Sequence, residues 1–455
     1  MSVFNAMLTS VSGLQAQSYA LENISGNIAN ASTTGFKRVD TRFVDLIPEM
    51  PAGREVAGSV AAYAQPTHTL QGQIQPSAVS THMALSGEGY FAVQEPRAFT
   101  NGEPLFDSVE LYTRRGDFSL DRNGYLVNGS GHYLRGVSLD PATGAPTTGA
   151  AGIVRLEPSS PPRQTSRVDY RSNLPSSPRT EAADPAVPGS ELLNAATLAT
   201  DPTVAGGGIV TGADQAEFLR RSVSGGTMTL HDANGDPVTL QMRWAKTGNG
   251  DGTNPDTWEL FYLDDANATG ANPAWRNAGQ VFSFDAAGRM TSAGSFTIAS
   301  ITSGGRSVGP VTFDTGTGLT QFADPSGQVQ PEVVSQDGYG AGSLTSLSVT
   351  PDGRVVGAFT NGQTVALAQI TVAQFAADDA LERRDGGAFA QTVGSGQPIY
   401  TLDGASISSG ALEASNTDIA AEFSKMIVSQ QAYNANTRVI STAQQMMQEL
   451  MNVVR

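Results

Sequence analysis

The sequence predicts an α+β multidomain chain in which coiled-coil terminal helices are joined to nested β-rich domains. Three observations carry this. Both ends show an apolar rhythm of alternating three- and four-residue steps, the spacing of a coiled-coil seam. The middle is rich in Gly, Thr, Ser and Ala, with 50 glycines, 24 prolines and only 15% charged residues, which suits strands and turns. At 455 residues the chain holds two to four domains, each with its own core.

The first seam runs Phe4, Met7, Val11, Leu14, Ser18, Leu21, Ser25 and Ile28, on a helix over 3–29 whose one formal charge is Glu22. The second runs Ile419, Phe423, Met426, Gln430, Tyr433, Thr437, Ile440, Gln444, Met447, Met451 and Val454. Its helix starts near Ser415, with Ser415 or Asn416 as N-cap and Asp418 in the first turn. The opposite face of the first helix (Asn5, Thr9, Ser12, Gln15, Ala16, Ala20) lacks the charges that keep a solvent-facing helix soluble. A lone pair of such helices is marginal once backbone entropy is counted. Both ends are therefore expected to be disordered in a monomer and to fold against neighbouring copies.

Between the ends, 36–80 reads as irregular and extended, punctuated by Pro48, Pro51, Pro66 and Pro76. Strand texture follows: Tyr90 to Val93, then Phe118 to Leu120 and Tyr125 to Val127 around the turn Asp121-Arg122-Asn123-Gly124. The stretch holding Pro158, Pro161, Pro162, Pro175, Pro178, Pro185 and Pro188 reads as linker. A second β block has alternating Val238, Leu240, Met242 and Trp244, then Trp258, Leu260 and Tyr262, with Asn234-Gly235 as a turn. Strands resume past 335. The order implies nesting: 1–30 with 415–455 as the helical part, 31–80 with about 395–414 as a bridge, 81–174 with 320–394 as one β domain, and 175–319 as an insertion.

The net charge of −16 argues against nucleic acid and anionic membranes as partners. Cysteine is absent, so neither a disulfide nor a thiolate metal site is possible. The first basic residue is Lys37, so no positively charged leader region is expected, and no stretch reaches the roughly 20 apolar residues of a membrane span. Catalytic patterns are wanting. His68, His82, His132 and His231 are scattered without metal-ligand spacing. Asp232 to Asp236 puts its glycine at the fourth place rather than the sixth of a calcium loop, which favours a hairpin turn. Asp264-Asp265 and Asp378-Asp379 are sequence neighbours rather than opposed carboxylates. No enzyme and no cofactor are expected, and Trp244, Trp258 and Trp275 are read as core of the insertion.

Two signatures identify a family. Asn30-Ala31-Ser32-Thr33-Thr34-Gly35-Phe36-Lys37, just after the first helix, resembles the signature of the bacterial flagellar rod, hook and junction proteins. Gly410-Ala411-Leu412-Glu413-Ala414-Ser415-Asn416-Thr417-Asp418 resembles the matching C-terminal signature, with Thr417 where the family more often has Val. Met426 to Tyr433 continues the likeness. Gln336 to Tyr339, Gly353 to Gly357, Phe359 to Gln363, Asn173-Leu174-Pro175 and Leu319 to Phe322 are similar to the hook branch of that family. Length, through the large insertion, favours this branch over distal rod members; a distal rod or hook–filament junction protein is the alternative.

The resemblance implies a tubular homopolymer outside the cell, exported unfolded by the flagellar type III apparatus. Its implied partners are copies of itself, a distal rod protein, a hook cap and a hook–filament junction protein. Terminal helices would line the channel, the first β domain would form the wall, and the insertion would sit outside. The implied work is mechanical: a curved, flexible joint passing torque from rod to filament.

Overall fold

The computed structural model describes residues 3–46, 59–141, 143–147, 151–204, 207–251 and 254–453. Strands dominate, with one long helix near each end: α1 (Val3–Ala29) and α3 (Ile419–Val453). A short helix, α2 (Gln215–Arg220), lies between them. The chain forms two compact units, residues 1–158 with 344–455, and residues 159–343.

In the first unit, the main sheet runs in the order Arg354–Phe359, Thr364–Ile370, Tyr133–Ser138, Tyr90–Gln94, Leu111–Thr113, Ala388–Ala390, Glu382–Arg384. Early and late sequence alternate across it, as nesting demands. Phe91, Val93, Leu134, Ile370 and Val372 fill its core. The expected hairpin is present: Ser119–Leu120 pairs antiparallel with Leu126–Val127, and Gly124 takes the positive φ of 87° that its turn requires.

The stretch expected to be irregular holds a ribbon instead. Val39–Leu46 pairs antiparallel with Ser59–Pro66 across eight residue pairs. Its alternation is weak because most side chains are exposed or half-buried, so no apolar stripe marks it. Pro48 and Pro51 lie outside the described residues.

In the second unit, five antiparallel strands run Ile209–Thr211, Pro273–Phe284, Asp256–Leu263, Pro237–Gly248, Val223–His231. Val238, Leu240, Met242 and Trp244 alternate inward as expected, and Asn234-Gly235 makes the turn. A second sheet centres on Arg167–Asn173, paired with Val311–Asp314, Leu319–Thr320 and Gln330–Gln336. That central strand corrects the linker reading of its neighbourhood. Val168, Tyr170 and Leu174 are fully buried, and Trp244 Nε1 donates to Tyr170 Oη at 3.0 Å. Prolines flank this strand without entering it, so they bound an element rather than prevent one. Trp244, Trp258 and Trp275 are all core, as expected.

Candidate functional site

The two signature runs meet in a clasp. Gly35 N–H donates to Glu413 O at 2.7 Å, and Asn416 N–H donates to Phe36 O at 3.2 Å. The strand Ala411–Glu413 pairs with Ile74–Pro76, and Ser406–Ser409 pairs with Met83–Ser86. Gly35 has φ 66°, and a Cβ there would lie 2.8 Å from the Arg114 backbone. Gly72 is tighter still, since its Cβ would come within 1.9 Å of Ala414 O. These glycines let backbones touch.

Charge lies at the centre of this clasp. Lys37 Nζ donates to Glu413 Oε1 at 2.5 Å and to Leu70 O at 2.6 Å, with both charged side chains fully buried. Glu413 Oε1 also accepts from Gly72 N–H at 2.8 Å, and Oε2 faces Arg114 Nη1 at 3.5 Å. Arg114 in turn donates to Gly87 O at 2.7 Å and lies 5.4 Å from the Tyr90 ring centre. Burial pushes the Lys37 ammonium below its ordinary pKa, and Glu413 opposes that shift. A buried pair of this kind is strongly held only because each polar group has several partners.

The other signature residues serve the same joint. Thr33 Oγ1 donates to Asn30 Oδ1 at 3.2 Å, just past the end of α1. Phe36 lies 5.0 Å from the Arg383 guanidinium, which donates to Lys37 O. Asn416 Oδ1 accepts from Arg38 N–H at 2.8 Å, and its Nδ2 reaches Leu70 O at 3.1 Å. Gly410 (φ 62°) accepts from Ser77 N–H at 2.7 Å, and Leu412 sits opposite Gln75 in the strand pair. The cap of α3 is Asp418, not Ser415 or Asn416: its Oδ1 accepts from Ala420 and Ala421 N–H at 2.9 and 3.1 Å. Ser415 Oγ accepts from Thr417 N–H before the helix begins.

Beyond the clasp, α1 and α3 lie antiparallel. Asn27 Nδ2 donates to Glu422 Oε2 at 3.0 Å, and a Cβ on Gly13 would meet Asn436 Nδ2 at 2.8 Å. Lys425 Nζ bridges Glu422 and Asp40, each at 2.7 Å. The buried face of α1 is Ser10, Gly13, Ala16, Ala20, Ile24 and Asn27. Ala16 and Ala20 are thus inside, which corrects their placement on the outer face. On α3 the covered residues include Glu422, Met426, Ser429, Asn436, Ile440 and Ala443. Small side chains let the two backbones approach, so they rather than the large ones take the contact.

The apolar seams are accordingly covered only in part. Phe4 is 62% exposed, Phe423 50% and Met451 71%. Val11, Ile419, Tyr433 and Met447 are exposed too, while Met7, Leu14, Leu21, Ile28, Met426 and Ile440 are half-buried. Val454 lies outside the described residues. Sequence reasoning missed Asn27, Arg114, Glu422 and Lys425, none of which carries a local mark. Among the described residues no cluster of His, Asp or Glu is placed to hold a metal, and no helix is long and apolar enough to cross a membrane.

Residues 7–37 match the family model described as flagella basal body rod protein, and residues 408–453 match the C-terminal model of the flagellar basal body rod FlgEFG proteins. Residues 84–156 match the flagellar hook protein FlgE/F/G D1 domain, and residues 211–339 the flagellar basal body protein FlaE D2 domain. These define the class: an axial protein of the bacterial flagellum.

The flagellar hook protein FlgE of Brucella melitensis is 30% identical over the full length of both chains. That of Rhizobium meliloti is 28% identical over the full length of both, and that of Salmonella typhimurium 28% identical over 97% of this chain and 98% of its own. The chain belongs to the flagellar hook protein family, a family of structural proteins. The crystal structure of Helicobacter pylori flagellar hook protein FlgE2 covers 75% of this chain at 18% identity and a TM-score of 0.49.

Proposed function

We infer that this chain is a structural subunit of the bacterial flagellar hook, polymerising with its own copies into an extracellular tube that carries torque from rod to filament. The observation that carries the reading is the pairing of a full-length hook relationship with two terminal helices on which Phe4, Val11, Ile419, Phe423, Met447 and Met451 stay exposed. An apolar face of this size is costly in water and is relieved when like faces meet. The exposed seams, packed as a coiled coil with those of neighbours, would line the channel. The four-part division into helical, bridging, wall and outer segments fits a tube whose layers move against one another.

Type III export, a distal rod protein below, and a hook cap and junction protein above complete the proposed context. The alternative, a distal rod or junction subunit, is favoured by no single observation. The full-length relatives reported above are hook proteins that span the 211–339 region as well.

The test uses the purified full chain. Phe423→Glu and Met447→Glu each place a charge on an exposed seam residue. Their circular dichroism should match the parent, while the critical concentration for polymer formation rises at least tenfold. Unchanged polymerisation in both variants would remove the seams from the interface. A strain lacking the gene that still swims with curved hooks would end the reading.

A further inference from the structure

In the first unit a cleft of about 630 Å³ opens beside the main sheet, lined by none of the clasp residues. Its walls come from four places in the chain. Glu95 follows the strand Tyr90–Gln94, and Asp107 follows the ribbon of Pro96–Thr100 with Glu103–Phe106. Ser130 and His132 lie in the turn before Tyr133–Ser138, and Asp385 and Gly386 follow Glu382–Arg384. Two of these places are tied together. Arg115 Nη1 donates to Ser130 Oγ at 2.7 Å, which donates on to Gly386 O at 2.9 Å. Gly386 has φ 70°, and a Cβ there would stand 2.9 Å from His132 Cε1, so the imidazole edge faces this turn at close quarters.

His132 is only 4% exposed, and its Nδ1 has no hydrogen-bond partner among the described residues. Burial holds the ring below its ordinary pKa; Glu95 opposes this and Arg115 adds to it. The neutral imidazole offers a lone pair as well as an N–H. Charge on the walls does not cancel. Arg97 pairs with Asp107 at 3.5 Å and Arg384 with Glu382 at 3.1 Å, whereas Glu95 and Asp385 make no ion pair among the described residues. Two carboxylates without a cation and one buried acceptor thus share a cleft. We propose that this cleft binds a guanidinium or ammonium group, with Glu95 and Asp385 as counter-charges and the His132 lone pair as acceptor. Such a group carries several N–H donors and can reach acceptors that stand apart. An arginine or lysine side chain of another protein and a free polyamine both carry this chemistry. The cleft lies wholly in the first unit, so its occupation does not depend on the polymer reading.

The chain's four histidines make the contact readable by magnetic resonance. Full-length protein labelled with carbon-13 at histidine Cε1 is titrated, and His132→Gln assigns the relevant signal. Should that variant not fold, Gln variants at His68, His82 and His231 assign it by elimination. N-acetylarginine amide stands for a protein side chain and putrescine for a free amine. N-acetylglutamine amide and sodium chloride of matched ionic strength are the controls. At least one of the two cations should move the His132 signal saturably, and neither control should. Whichever cation saturates at the lower concentration identifies the source. Glu95→Gln and Asp385→Asn, both at exposed positions, should each raise the midpoint roughly threefold. A His132 signal that ignores both cations, or moves as much with sodium chloride, overturns the site. So do midpoints unchanged in both variants.

Discussion

Glu259 lies in the strand Asp256–Leu263, only 3% exposed, between the strands that place Ala245 and Val281 opposite it. Burial pushes its carboxyl up to about 7; the hydrogen bond from Asn277 Nδ2 opposes this, and nearby Asp201 adds to it. The ordinary value is 4.5. Below that, folded and unfolded chains both hold the proton. Between 4.5 and about 7 only the folded chain does, so this group's contribution falls as pH rises, and above 7 the whole penalty stays. Glu259→Gln should stabilise the second unit by about 2 kcal/mol at pH 8 and little at pH 4. Tryptophan fluorescence reads that unit alone, because Trp244, Trp258 and Trp275 all lie within it. Parallel pH profiles for parent and variant would refute the assignment. Nothing in the sequence marks Glu259, which stands in an alternating strand like any outward polar residue. Lys37 and Glu413 were legible as signature members, yet their ion pair was not, since residues 376 positions apart leave no local trace of contact.

The helices show how element and face separate. Periodicity gave the extent of α1 correctly, and turn chemistry placed the hairpin at Asp121–Gly124. The same periodicity picked the large apolar stripe, whereas the chain's own contact uses Ser10, Gly13, Ala16 and Ala20. Small residues score poorly on any hydrophobic pattern and pack closest. The central strand Arg167–Asn173 was hidden by the prolines around it, and the 39–66 ribbon by its exposure. Part of each seam stays open to water, so α1 and α3 keep apolar surface that their own contact does not cover. Hydrogen exchange on dilute monomer should show rapid exchange in both helices, and slow exchange in Tyr90–Gln94 and Leu111–Thr113. Polymer should protect all four. Full protection of α1 and α3 in dilute monomer would contradict the expected folding upon assembly.

At the scale of the molecule, the second unit leaves and re-enters the first through neighbouring residues. Leu344 N–H donates to Pro158 O at 2.8 Å, so the chain ends flanking 159–343 already touch. Deleting 159–343 and joining the ends through a short glycine linker should leave a folded first unit that still polymerises, with altered stiffness or curvature. Electron microscopy of the resulting polymer checks this; complete loss of assembly would show that the second unit is required for it. Nesting was expected from β texture flanked by matching helical ends; the compact unit 159–343 begins before and ends after the expected insertion 175–319, because the strands Arg167–Asn173 and Gln330–Gln336 pair within it.

Fastening Lys37 to Glu413 also sets an order of events. A thread emerging with its first residue leading presents the ammonium early and must wait for nearly its entire length before the carboxylate arrives. Prematurely terminated molecules would carry the Lys37 cation without its carboxylate. Closure of the clasp is therefore a late step, open only to molecules that hold both signatures.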